Sequence, residues 1–157
     1  MKEKIKLIIW DFSRTLIFPR DPEYKGGLND LYDKTEDKSF SELFIINPEL
    51  IRFIDDIKDQ VPSIIFTTGA LQDDVEIEGI LDEIFVNMET VETVGFSKAD
   101  PRGYEKICEI YEVKPSEVLY IDDQEKNIVA ANQAGIKVMQ YKGNNDEIIQ
   151  FVRQNLL

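Results

Sequence analysis

Residues Lys6–Trp10 (KLIIW) make a nearly continuous apolar run, too short for an ordinary helix and rich in β-branched and aromatic side chains. Such a run, with no polar alternation, suits a strand covered on both faces inside a parallel sheet. Four more short runs follow, at Ser63–Phe66, Ile84–Val86, Val118–Ile121 and Lys137–Tyr141. Helical periods lie between them. Leu50, Phe53, Ile54 and Ile57 recur at helical spacing behind Asn47-Pro48-Glu49, which supplies an N-cap, a first-turn proline and a first-turn acid. Tyr104, Ile107, Cys108 and Tyr111 share a face behind Lys98-Ala99-Asp100-Pro101, and Gly135 stops a helix over Gln124–Ala134. A last amphipathic helix spans Asp146–Leu156, with Ile148, Ile149 and Val152 inward. Ala70–Leu81 reads as helical or as broken at Gly79, and Glu89–Phe96 fits neither pattern. Strands alternating with helices predict an α/β, Rossmann-like three-layer sandwich around a parallel five-stranded sheet, with residues 1–157 as a single domain.

Composition narrows the chemistry. The 31 acidic against 18 basic residues give a net charge of −13, a field that repels nucleic acid and anionic lipid. No apolar stretch approaches the roughly 18 residues of a membrane span. The start, MKEKIKLIIW, lacks the length and the small-residue site of a signal peptide, so the expectation is a strand and a cytoplasmic protein, monomer or homodimer. Cys108 is alone and reads as a core filler. There is no histidine, which removes the commonest general base and the commonest metal ligand. Any metal would be held by oxygen, pointing to magnesium or a similar hard ion.

Between the first strand and Asn47 lies Ile17–Asn47, containing Pro19, Pro22, Gly26-Gly27, many charges and five scattered aromatic residues. Connections this long inside a domain are usually functional or mobile. The aromatics favour a flap or mini-cap over a plain surface excursion, with a helical turn at Leu28–Tyr32.

Polar groups fall at the C-terminal ends of three predicted strands: Asp11 with Ser13, Thr67-Thr68-Gly69, and Asp122-Asp123. Each has an ordinary alternative as a turn cap. In a parallel sheet, however, all strand C-termini share one edge, where open α/β sheets place their ligands. Three carboxylates meeting there repel by on the order of 4 kcal/mol per pair at about 4 Å and an effective dielectric of about 20. A divalent cation with Lys98, which begins a helix between these strands, would neutralise them, leaving Thr67 and Lys98 to bind an anion.

These residues also carry a resemblance. Asp11-Phe12-Ser13-Arg14-Thr15-Leu16 is similar to the first motif of the haloacid dehalogenase-like hydrolases, strand-Asp-x-Asp-x-Thr-Leu. Thr67-Thr68-Gly69 resembles the second, Lys98 before Asp100-Pro101 the third, and Ile121-Asp122-Asp123 with Asn127 the fourth. The resemblance implies Asp11 as nucleophile, forming an aspartyl-phosphate, and Thr67, Thr68, Gly69 and Lys98 as the phosphoryl-binding set. It implies magnesium on Asp11, Asp122 and the Ser13 carbonyl with Asp123 alongside, Thr15 supporting the loop, and a small phosphorylated molecule or phosphoprotein as substrate. One departure stands out. The family's second Asp, the general acid and base, is Ser13 here. A hydroxyl cannot protonate an alkoxide, and losing acid–base catalysis typically removes about 10²–10⁴ in rate. The expected activity is therefore that of a phosphohydrolase or phosphotransferase slow on alkyl phosphates. The alternative is a weakly catalytic phosphate- and metal-binding regulatory module. A dehalogenase is disfavoured, because the Asp122-Asp123 pair is costly without a cation.

Overall fold

A computed structural model describes residues 3–157. The strand β1 (Leu7–Trp10) is followed by β2 (Ile17–Pro19), the helices α1 (Leu28–Lys34) and α2 (Phe40–Leu43), and β3 (Phe44–Ile46). Then come α3 (Pro48–Ile57), β4 (Ser63–Thr67), α4 (Val75–Ile84), β5 (Asn87–Thr90) and the single turn α5 (Val91–Val94). The helix α6 (Pro101–Ile110), β6 (Val118–Asp122), α7 (Glu125–Gln133), β7 (Lys137–Gln140) and α8 (Asn145–Leu156) follow. Five strands form one parallel sheet in the order β5-β4-β1-β6-β7. The α/β expectation holds.

The central position of β1 explains its unbroken apolar run. Ile9 pairs with Ile64 on one side and Tyr120 on the other. Alternate side chains enter different layers. Ile8 and Trp10 pack among Leu50, Ile54, Leu81 and Ile148, whereas Leu7 and Ile9 pack among Phe66, Tyr104, Ile107 and Ala131. All four β1 residues are buried, each contributing about 1.5–3 kcal/mol of gross burial. Trp10 Nε1, the polar atom in this strand's side chains, donates to Ser63 Oγ at 3.0 Å.

Three expectations need correction. The strand expected at Ile84–Val86 lies at Asn87–Thr90, because the apolar face Ile77, Leu81, Ile84 carries α4 through Ile84. As an edge strand, β5 buries a carboxylate rather than an apolar run. Glu89 is satisfied by Tyr111 OH at 2.6 Å, Thr93 Oγ1 at 3.0 Å and Asn87 Nδ2 at 3.1 Å. Gly79 does not break α4; it lies on the exposed side, with nothing within 4 Å of where a Cβ would be. Third, Lys98 does not begin α6. Asp100 is its N-cap, accepting from the Arg102 amide at 3.0 Å, so Lys98 sits in the preceding turn.

The 17–47 segment has structure of its own: β2 and β3 pair antiparallel and α1 and α2 lie between them. Phe40 and Phe44 stack with centroids 4.9 Å apart, Tyr32 packs on both, and Phe40 and Phe44 join the main core cluster. It is not a plain excursion. Among the described residues, no helix is long and apolar enough to cross a membrane.

Candidate active site

Asp11 directly follows β1, and its amide still bonds the Ile121 carbonyl at 2.9 Å, so the carboxylate stands on the sheet's C-terminal edge. The chain then coils tightly. The Phe12 carbonyl accepts from the amides of Leu16 at 2.9 Å and Ile17 at 3.1 Å. This coil puts Arg14 at φ 62°, a left-handed conformation costly for a residue with a Cβ. Arg14 Nη2 bonds the carbonyls of Gly26 at 2.7 Å and Tyr24 at 3.2 Å, tying the coil to the 17–47 segment. Thr15, fully buried, turns back and donates to Asp11 Oδ2 at 2.9 Å, which fixes the carboxylate's orientation.

The turn before α6 and the end of β6 deliver the rest. Lys98 Nζ lies 2.5 Å from Asp11 Oδ1 and 3.0 Å from Asp122 Oδ2, so one buried ammonium bridges the ends of β1 and β6. The Lys98 carbonyl accepts from Tyr104 OH at 2.6 Å, which holds the lysine's backbone in place. Asp122 accepts from Tyr120 OH, from Asn127 Nδ2 at 3.0 Å and from the Gln124 amide at 2.8 Å. Asp11, Asp122 and Asp123 present oxygens all within 4.8 Å of one another.

The titration behaviour follows from this crowding. Burial, opposed by Lys98 and reinforced by Asp122, raises Asp11 above the ordinary carboxylate range. Burial acts the same way on Asp122, but Lys98, the Tyr120 hydroxyl and the Gln124 amide outweigh it and hold Asp122 low. Burial, a hydrogen bond to Asp11 and the charges of Asp11 and Asp122 push Asp123 up to about 8. Burial alone would lower Lys98, yet the two carboxylates raise it, so it stays charged. One cation cannot keep all three carboxyls ionised, which is why Asp11 and Asp123 hold their protons to higher pH. The donors are all carboxylate oxygens at close quarters, a set that fits a hard divalent cation such as magnesium.

A polar cavity of about 190 Å³ opens beside Lys98. Of the residues singled out by sequence, Asp11, Ser13, Thr67, Thr68, Lys98 and Asn127 line it. Asp122 is capped beneath Lys98, with Asp123 next to it in the carboxylate cluster, and neither lines the cavity. Gly69 does not line it either. It serves the turn after β4 at φ 82°, where a Cβ would meet Asn29, whose Nδ2 bonds the Thr68 carbonyl at 3.0 Å. Sequence reasoning missed Tyr120 and Tyr104, and Ser97, Gln124 and Lys126 in the lining. Tyr120 was findable, since it lies two residues before Asp122 and so on the same face of β6.

A family model described as haloacid dehalogenase-like hydrolase matches residues 20–135. The chain belongs to the haloacid dehalogenase-like hydrolases. The matched stretch covers Thr67, Lys98 and Asp122-Asp123, while Asp11 and Ser13 lie just before it. Over 79 residues the chain is 34% identical to the validoxylamine A 7′-phosphate phosphatase of Streptomyces hygroscopicus subsp. limoneus. That match takes in 50% of this chain and 32% of the relative, so it spans about a third of the phosphatase's length. A haloacid dehalogenase-superfamily hydrolase of subfamily IA from Geobacter sulfurreducens superposes with a TM-score of 0.70 at 18% identity, covering 94% of this chain and 96% of that one. A family enzyme from Bacteroides thetaiotaomicron, solved with magnesium and inorganic phosphate, gives 0.64 at 14% identity, covering 90% and 96%. At these identities the likeness shows the shared fold.

Proposed function

We propose that this family member is a magnesium-dependent phosphohydrolase or phosphotransferase working through phosphorylated Asp11 on a small phosphorylated molecule. The observation that carries this is the Lys98 ammonium shared between Asp11 and Asp122 at the floor of a small polar cavity. Phosphoryl transfer depends chiefly on positioning and charge neutralisation, and these residues supply both. Thr15 holds Asp11 Oδ2 and Lys98 holds Oδ1, so the carboxylate is fixed at the cavity floor as the nucleophile. The Asp11 oxygen bonds to phosphorus as the bond to the leaving oxygen breaks, and water then cleaves the aspartyl-phosphate. Thr67 and Lys98 bind the phosphoryl oxygens during both steps. A magnesium ion on Asp11, Asp122 and the Ser13 carbonyl, with Asp123 alongside, would supply charge neutralisation at the phosphoryl group. Magnesium and phosphate in the Bacteroides relative support that reading. Ser13 lines the cavity where the family pattern places an acid, and its hydroxyl neither protonates a leaving alkoxide nor activates water well. The preferred leaving groups are therefore weakly basic ones, as in acyl or aryl phosphates.

The test is a magnesium-dependent screen over phosphomonoesters, acyl phosphates and phosphoanhydrides, run beside Asp11→Asn. Turnover of the less basic leaving groups, abolished in the variant, is the expected result. Turnover that persists in Asp11→Asn removes Asp11 as the nucleophile.

A further inference from the structure

We infer that Lys126, with Gln124, forms a second anion-binding subsite at the mouth of the phosphoryl cavity, so that the substrate's leaving half carries an anionic group of its own. This rests on the phosphoryl-transfer reading above and specifies its substrate class.

The inference comes from an account of the cavity's donors. Two of the three Lys98 N–H donors are taken by carboxylates, at 2.5 and 3.0 Å, and the third is the one left for the phosphoryl group. The Asn127 amide is spent on Asp122 at 3.0 Å. Lys126 lines the same cavity, is exposed, and has no ion-pair partner among the described residues. Glu125, its neighbour on α7, makes no ion pair with it, and the two acids just before the helix are turned elsewhere. Asp122 and Asp123, four and three positions earlier, face Lys98 and Asp11. Nor does local structure account for a lysine here. Lys126 is in the first turn of α7, where the helix macrodipole disfavours a cation. In a chain with 31 acidic residues against 18 basic ones, an unpaired cation facing the site asks for an anion from outside.

Ser13, on the same cavity wall, says where the negative charge appears. Without an acid at that position, the leaving oxygen departs with its electron pair and no proton. The Asp11–phosphorus bond forms as the phosphorus–leaving-oxygen bond breaks, and the leaving half exits one negative charge richer. Water then returns Asp11 as a carboxylate, releasing inorganic phosphate and a proton. A cation beside the exit path lowers the cost of that charge and retains a leaving half that already bears a carboxylate or a second phosphate. Gln124, which also lines the cavity, adds a neutral donor.

The experiment compares 4-carboxyphenyl phosphate with its neutral isostere 4-carbamoylphenyl phosphate, and adds pyrophosphate, on wild type, Lys126→Ala, Lys126→Arg and Lys126→Glu with magnesium. Wild type is expected to show a KM about 5-fold lower for the carboxylate, the scale of a solvent-facing ion pair. Lys126→Ala erases the preference, Lys126→Arg keeps it, and Lys126→Glu reverses it. The contrast shrinks as salt is raised. A purely structural lysine would shift both aryl phosphates together. The larger Lys126-dependent rise in KM, with the carboxylate or with pyrophosphate, identifies the anion. A wild type that does not discriminate, or a Lys126→Ala that still does, overturns the subsite while leaving phosphoryl transfer intact. If neither aryl phosphate is turned over, the catalytic reading fails instead. The subsite is then decided by calorimetric binding of the same two compounds, where absence of the contrast overturns it.

Discussion

Lys98→Met tests the electrostatic account of the site most directly. The substitution keeps an unbranched side chain one atom shorter and removes the single cation held between Asp11 Oδ1 at 2.5 Å and Asp122 Oδ2 at 3.0 Å, all three groups being buried. Removing one partner of a buried pair typically costs about 3–5 kcal/mol, because a desolvated charge is left behind. Here two carboxylates are left, although protonation of Asp11, already raised, offsets part of the loss. For a chain of this size, about 1 kcal/mol moves Tm by roughly 2–4 °C, so the expected drop is on the order of 10 °C. The measurement is urea and thermal unfolding of wild type and variant, in chelator and in magnesium. Magnesium at about 100 times its Kd adds about 2.7 kcal/mol to whichever protein binds it, and the variant, with no ammonium competing for the carboxylates, narrows its deficit to the extent that it binds the ion more tightly than wild type. A double-mutant cycle sharpens the sign. Asp122→Asn in wild type weakens the bonds from Lys98, Tyr120, Asn127 and the Gln124 amide and destabilises the fold. In the Lys98→Met background it also removes an unpaired charge, so its cost falls by about 1–3 kcal/mol. A metal-free loss below about 1 kcal/mol for Lys98→Met, or a cycle with no coupling, would refute the claim that Lys98 holds the site together.

Ser13→Asp restores the residue type that the family pattern places in the cavity wall and is expected to raise turnover of a simple alkyl phosphate by about 10² or more, with little gain on acyl phosphates. Equal gains on both would mean that leaving-group protonation is not what Ser13 withholds. Arg14→Gly relieves a φ of 62° while deleting the bonds to the Tyr24 and Gly26 carbonyls. The opposing effects, each about 1 kcal/mol, leave global stability nearly unchanged, while amide hydrogen exchange over 24–27 becomes faster. Unchanged exchange would show that Arg14 does not tether the segment. Burial pushes the Cys108 thiol from 9.0 up to about 11. The unfolded thiol therefore loses its proton first as pH rises, the native state then binds more protons, and stability falls between about pH 9 and 11. Cys108→Ala should flatten that part of the curve in chemical unfolding, and native Cys108 should resist thiol reagents at pH 8.

What the sequence alone determined is tied to burial on two faces and to short-range geometry. Residues Leu7–Trp10 and Val118–Asp122 are covered from both layers, so their composition announces a central strand. Asn47 caps α3 as its position before Pro48 predicts, accepting from the Leu50 amide at 3.3 Å. The placing of Asp11, Thr67 and Asp122 on one edge followed from strands being parallel. The tertiary structure decided the rest. Strand β5 was illegible because an edge strand stabilised by hydrogen bonds to Glu89 needs no apolar run. The pairing of Asp11 with Lys98 spans 87 residues, and no local period encodes a distance that only the packing of α6 on the sheet creates. Asn47 shows the two levels in one residue: its cap is local, whereas its bonds to the Thr15 carbonyl at 3.2 Å and Asn145 at 2.9 Å exist only after the coil following β1 and α8 pack against it. Which donors are spent and which remain, the difference between Lys98 and Lys126, is likewise a property of the folded site. Sequence names the charges, and only their three-dimensional neighbours decide which are already satisfied.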